Sequence, residues 1–153
     1  MKQELIKDFR DFIGLLNAKE VKYVLLGGYA MAWHGHPRYT GDIDFFIARS
    51  AQNAEALVKV MNEFGMASLG LTVNDFLEEG IVVQFGRAPY RVDLLTFADG
   101  LDFDETWESR VVADWEGVTV NVISRDMLIR NKLASGRGKD LEDAKTLVKR
   151  TSS

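Results

Sequence analysis

The chain reads as one α/β (α+β) domain, a mixed β-sheet with helices packed on it. Three observations predict this class. Apolar residues recur at helical spacing near both ends of the chain. Between them lie short β-branched and aromatic runs that end in glycine turns. The length, 153 residues, suits one hydrophobic core, so a single domain over 1–153 is expected. No repeat, linker or low-complexity tract divides it.

The elements follow in order. Leu5, Ile6, Phe9, Phe12, Ile13 and Leu16 share one face of an amphipathic helix over residues 3–19. Residues 21–26 form a buried strand ending at Gly27-Gly28, and 29–33 a short helix stopped by Gly35 and Pro37. Residues 43–47 are a second strand. Ser50 then caps a helix whose Leu57, Val60, Met61 and Phe64 face one way, and Gly65 ends it. In 66–80 the only signal is Thr72 with Asp75, which opens a short helix to Glu79. Residues 81–85 and 90–95 are strands joined by Gly86-Arg87-Ala88-Pro89. The acidic stretch 99–109 reads as a loop with one or two helical turns. Strands at 111–114 and 118–123 flank the turn Glu116-Gly117. Ser124 caps a helix carrying Met127, Leu128 and Leu133, interrupted at Gly136 and Gly138. Residues 139–149 close the chain, with Leu141, Ala144, Leu147 and Val148 expected to face inward.

Composition narrows the function. With 19 Lys and Arg against 23 Asp and Glu, the net charge of -4 gives no global field for nucleic acid or an anionic membrane, so a nucleic-acid contact needs a local basic patch. The absence of cysteine excludes disulfides, thiolate metal sites and cysteine nucleophiles. No apolar run nears the roughly 20 residues of a membrane span. The N-terminus becomes amphipathic rather than forming a signal peptide, so a cytoplasmic protein is expected.

The chemistry concentrates at Leu25-Leu26-Gly27-Gly28 and, after a thirteen-residue spacer, Asp42-Ile43-Asp44. Strand alternation puts Asp42 and Asp44 on one face, about 6–7 Å apart at their backbones. Asp93, in Arg91-Val92-Asp93-Leu94-Leu95, reaches them if its strand lies alongside. Three gathered carboxylates raise one another's pKa, and a divalent cation removes the conflict. All-oxygen ligands suit Mg²⁺, with Mn²⁺ as a substitute. Two such ions about 3.5–4 Å apart activate a hydroxyl and stabilise leaving pyrophosphate. Gly27 and Gly28 let the backbone turn and approach a ligand, and a helix starting there offers free N–H groups to phosphates. Arg38 and Thr40 place a cation and a hydroxyl before the carboxylates, where both can contact the nucleotide. Asp102-Phe103-Asp104 repeats the spacing without a glycine turn or a following apolar run, and reads as a helix cap or solvated loop.

These residues resemble the nucleotidyltransferase superfamily that includes DNA polymerase β and the small antibiotic-modifying nucleotidyltransferases. Its pattern is a hydrophobic residue, Gly-Gly or Gly-Ser, a spacer, Asp-x-Asp, and a third Asp on a later strand. The stretch GGYAMAWHGHPRYTGDIDFFI is similar to the AbiEii-type branch, whose members include toxins of toxin–antitoxin systems. That branch also carries a Lys, an Arg and a basic residue before Asp-x-x-Asp, matched here by Lys132, Arg137, Lys139, Asp140 and Asp143. The resemblance implies a nucleotidyltransferase-like sheet and Mg²⁺-dependent transfer of a nucleoside monophosphate from a nucleoside triphosphate to an acceptor hydroxyl. Asp42, Asp44 and Asp93 become metal ligands and catalytic groups. Gly27, Gly28, Arg38, Thr40, Lys132, Arg137 and Lys139 become contacts to the triphosphate.

The last three cations have a plainer reading as a solvated helix face, and Asp140 and Asp143 either orient them or cap the last helix. Two departures bear on this. Gly-Gly-Tyr supplies no serine hydroxyl for phosphate, and the large helical domain of many relatives has no counterpart here. The small size fits members that dimerise or use a partner protein to complete the cleft. His34 and His36 lack further transition-metal ligands and read as peripheral. Tyr39 is the aromatic best placed to stack on a base. The acceptor stays open among an RNA end, a small hydroxylated molecule and a protein side chain. The rivals are a catalytically idle nucleotide- or partner-binding module of the same fold, and a phosphoester hydrolase using the same metals.

Overall fold

The computed structural model describes residues 4–151. Helix α1 (Lys7–Ala18) leads into β1 (Tyr23–Leu26), α2 (Gly27–Trp33), β2 (Asp42–Ile47) and α3 (Ala51–Glu63). Two short 3₁₀ turns, Ala67–Leu69 and Val73–Phe76, precede the hairpin β3 (Val82–Phe85) and β4 (Arg91–Leu95). Then come α4 (Phe103–Glu108), a second hairpin of β5 (Val111–Trp115) and β6 (Val118–Val122), α5 (Arg125–Ser135) and α6 (Gly138–Thr151).

The six strands form one mixed sheet in the order β3-β4-β2-β1-β6-β5. The β1–β6 and β2–β4 pairs are parallel, and the others antiparallel. One face is covered by α1, whose Phe12 ring packs on Phe45 and Phe85. On the other face Phe103 of α4 packs edge-on to Phe46. Phe45 and Phe46 are adjacent on β2, so the strand is covered on both sides at this end, and its last three residues are buried. Asn53 ties α3 to the strand ends. Its side chain accepts from Lys22 N at 2.7 Å and donates to Lys22 O and Ala48 O at 3.1 and 2.9 Å.

Element boundaries moved where backbone geometry decides them. The expected helix start at residue 3 lies outside the described residues, and Leu5 and Ile6 precede α1, with Ile6 extended as its N-cap. Val21 is buried but donates its N–H to Leu16 O, closing α1 rather than opening β1. The segment expected to be helical to Glu79 is a single 3₁₀ turn, opened by Thr72 N–H donating to the Asp75 carboxylate at 2.7 Å. Glu116 and Gly117 both adopt positive φ, 54° and 87°, as a two-residue hairpin turn requires.

One expectation about the last helix is overturned. Ala144 and Leu147 are buried, but Leu141 and Val148 are exposed, as is Leu133 on α5. Helix α6 packs chiefly along α5, so one narrow row of its side chains is covered. Among the described residues no helix is long and apolar enough to cross a membrane.

Candidate active site

The site is built by strand register. In the parallel β2–β4 ladder Asp42 is opposite Arg91 and Asp44 is opposite Asp93. Alternation puts Asp42 and Asp44 on one face, and paired positions share a face, so all three carboxylates and Arg91 rise together. In the antiparallel β1–β2 ladder Leu26 lies opposite Asp44, which brings the end of β1 to the same point.

Gly27 follows at φ +69°, and a Cβ there would collide with the Asp44 carboxylate. Only glycine fits this turn, both for its φ and for the space. At Gly28 a Cβ would press on the Thr40 side chain at 3.2 Å. Helix α2 therefore starts at Gly27, two residues before the expected Tyr29, with its first turn against Asp44 and Thr40. The Thr40 hydroxyl donates to the Asp42 carbonyl at 3.2 Å, fixing the entry to β2.

Arg91 was not singled out by sequence reasoning. Its Nε donates to Asp93 Oδ1 at 2.7 Å, and Nη2 donates to Asp93 Oδ2 and to Asp42 Oδ2, each at 3.0 Å. Its position two residues before Asp93 on one strand face was the available signal. The Asp42 side chain is 45% exposed and that of Asp93 9%, so the cluster opens to solvent at Asp42 and closes toward Asp93.

Asp44 carries the electrostatic strain. Burial first, then the Asp93 and Asp42 charges, push its carboxyl up to about 7, while Arg91 pulls weakly the other way. Among the described residues no three acidic or histidine side chains stand as a ready metal cage. Arg91 is the cation that Asp42 and Asp93 hold instead. The donor set still fits a hard divalent ion: three carboxylates converge, and one remains poorly compensated.

A second charged cluster joins distant parts of the chain. Arg38 donates to both Asp143 oxygens at 2.7 and 3.2 Å. Lys132, nearly buried, lies 3.2 Å from Asp140 and 3.1 Å from Asp143. Asp140 also accepts from Ser135 Oγ at 2.6 Å and Arg137 Nε at 2.9 Å. Burial alone would raise both carboxyls. The bonds from Ser135, Lys132 and Arg137 to Asp140, and from Arg38 and Lys132 to Asp143, outweigh it and hold both below the usual carboxylate range.

Arg38, Lys132 and Arg137 are thus gathered around two aspartates, and Lys139 lies exposed in the first turn of α6. Of the remaining candidates, His34 Nε2 meets the Ile123 carbonyl at 2.8 Å, and burial lowers its pKa. Tyr39 is 84% exposed. Asp102 caps α4 by accepting from Glu105 N at 3.1 Å.

A cavity of about 680 Å³ opens behind the carboxylate strands, walled by Phe9, Phe64, Phe85, Tyr90 and Val92. Val92 lies between Arg91 and Asp93 and so points to the opposite sheet face, and none of the three carboxylates lines this space.

Known proteins resemble this chain in sequence pattern and in fold. The family described as "Nucleotidyl transferase AbiEii toxin, Type IV TA system" matches residues 15–150, a range holding the glycine pair, all three carboxylates and the charged cluster. Among solved structures, a candidate nucleotidyltransferase from Thermotoga maritima aligns with a TM-score of 0.61 at 18% identity, covering 98% of this chain and 97% of its own. An antigenic nucleotidyltransferase-like protein from Paracoccidioides brasiliensis aligns at 0.54 and 16% identity, over 91% of this chain and 72% of its own. At such identities the likeness is one of fold. No curated protein matches the chain.

Proposed function

Because the chain belongs to the AbiEii family of nucleotidyl transferases, we propose that it is a Mg²⁺-dependent enzyme moving a nucleoside monophosphate from a nucleoside triphosphate to an acceptor hydroxyl. The observation that carries this reading is the register of β2 and β4, which sets Asp44 opposite Asp93 with Asp42 on the same face, all beside the Gly27 turn. Asp42, Asp44 and Asp93 would hold the divalent metal. When bound, that metal supplies charge stabilisation at the phosphates and lowers the pKa of the attacking hydroxyl.

The chain's own residues do the rest. Gly27 and Gly28 let the backbone turn against the Asp44 carboxylate and the Thr40 side chain, and the triphosphate would lie along that turn. Thr40 is positioned to add a hydroxyl contact. Arg38, Lys132 and Arg137 are tied to Asp140 and Asp143, and the exposed Lys139 would add a cation for phosphate. Asp93, shielded from water, takes the acceptor proton. The acceptor oxygen then bonds to the α-phosphorus as the bond to pyrophosphate breaks. Placement and charge supply the rate.

The family's name ties this activity to toxin–antitoxin systems, and a role as the toxin is part of the proposal. The acceptor is an RNA end, a small hydroxylated molecule or a protein side chain. One observation favours the second reading, an idle nucleotide- or partner-binding module: Arg91 already neutralises part of the carboxylate cluster. Incubation with α-labelled nucleoside triphosphates, Mg²⁺ and cell extract separates these. A labelled acceptor that is lost with Asp44→Asn supports transfer and identifies the acceptor class. Nucleotide binding without any labelled product supports the module. Free nucleoside monophosphate without a labelled acceptor makes the protein a hydrolase.

A further inference from the structure

Arg91 is part of the carboxylate cluster by construction. It begins β4, pairs across the ladder with Asp42, and shares a strand face with Asp93. Its fork takes both oxygens of Asp93, and the same Nη2 reaches Asp42 Oδ2. One guanidinium therefore spans two of the three carboxylates, while Asp44 feels it only through space. The Arg91 side chain is 45% exposed, so it can swing outward without opening the core. A guanidinium fork also matches phosphate oxygens as well as it matches a carboxylate.

We infer that Arg91 is the resident counter-ion of this cluster: it holds Asp42 and Asp93 until a divalent cation competes for their oxygens, and it then passes to the phosphates of the incoming nucleotide. The inference deepens the nucleotidyltransferase reading and rests on it. A guanidinium and a divalent ion sharing the same oxygens repel each other, which weakens binding of the metal alone by about tenfold. A triphosphate relieves that conflict by giving Arg91 a new partner. Metal and nucleotide then load together, and Asp93 is released from the fork to receive the acceptor proton.

Mn²⁺ alone is the probe, with the free ion measured by electron paramagnetic resonance. Wild type, Arg91→Gln, Arg91→Lys and Asp44→Asn are compared. The expected result is Mn²⁺ binding about tenfold tighter in Arg91→Gln than in wild type, with Arg91→Lys between them. Metal-free Arg91→Gln should also melt lower than wild type at neutral pH and recover with Mn²⁺. A non-hydrolysable triphosphate should tighten Mn²⁺ binding more in wild type than in Arg91→Gln.

If Arg91 merely braced Asp93 as a ligand, Arg91→Gln would bind Mn²⁺ more weakly. That result, an unchanged affinity, or an equal gain from the triphosphate overturns the inference. The carboxylate site itself still stands if Asp44→Asn abolishes Mn²⁺ binding. Absence of Mn²⁺ binding in wild type and Arg91→Gln alike overturns both. Should Arg91→Gln fail to fold, Arg91→Lys decides: tighter than wild type supports the inference, and equal or weaker overturns it.

Discussion

Asp44 and Asp93 face each other as direct partners across two parallel strands, and the Asp44 carboxyl is pushed up to about 7 by burial and by that neighbour. A carboxylate pair at a ladder position destabilises a sheet. Its presence in an otherwise apolar sheet centre is a cost that the fold accepts for the sake of the site.

The pH dependence of stability follows. The folded pKa of Asp44 lies above its unfolded value near 4, so the folded state binds the extra proton. Stability from this group is fully present below about pH 4 and is lost as pH rises through 7. Asp44→Asn removes the charge. Relative to wild type it should gain on the order of 2 kcal/mol at pH 8 and almost nothing at pH 4. Thermal melts of metal-free protein at the two pH values check this. Saturating Mg²⁺ should raise the wild-type melting temperature at pH 8 and leave Asp44→Asn unmoved.

Gly27→Ala tests the turn. Its φ of +69° strains any L-residue, and the new methyl would displace the Asp44 carboxylate. The expected loss is about 2–3 kcal/mol, with at least tenfold less nucleotidyl transfer. Gly65→Ala is the control. It carries similar strain at φ +88° but has nothing within 4 Å, so it should lose stability near 1 kcal/mol and keep its activity. Equal activity loss in both variants would count against a specific role for Gly27.

Much of this site was readable in the chain because its signals are local. Gly27-Gly28 stops an apolar run, and Asp42 and Asp44 need only strand alternation to share a face. The meeting of Asp44 with Asp93 was conditional, because it depends on β4 pairing with β2, a choice made by sheet order across half the chain. Arg91 has no sequence signal for its role beyond lying two residues before Asp93, since what defines it is the cross-strand Asp42. Arg38 and Asp143 are 105 residues apart, and no periodicity signals that pairing. Leu141 and Val148 misled for a different reason. An amphipathic pattern shows which residues can be buried, but not how much cover the fold provides.

The charged cluster should behave as a structural unit. Asp143→Asn would leave Lys132 buried beside one carboxylate and Arg38 without its charged partner. Breaking a buried ion pair from one side costs about 3 kcal/mol. Asp11→Asn, which breaks the exposed Lys7–Asp11 pair, should leave stability essentially unchanged. Urea unfolding of both variants measures the contrast. Asp143 titrates below its unfolded value, so its stabilisation is present above about pH 4 and is lost as pH falls through the folded pKa. The Asp143→Asn deficit should therefore shrink in acid, opposite in sign to the Asp44 effect.

Asp42 separates stability from activity. Its side chain is 45% exposed, and its ion pair with Arg91 is shared with Asp93. Asp42→Asn leaves Arg91 its fork on Asp93 and removes one of the charges that raise the Asp44 pKa. The two effects oppose each other, so stability should change by less than about 1 kcal/mol. Loss of one of the three carboxylates proposed to hold the metal should still lower nucleotidyl transfer by on the order of a hundredfold. Unfolding curves and labelled-nucleotide assays on the same preparation test both halves. A variant that keeps wild-type transfer would remove Asp42 from the site, and one that unfolds would show that its contact with Arg91 is structural.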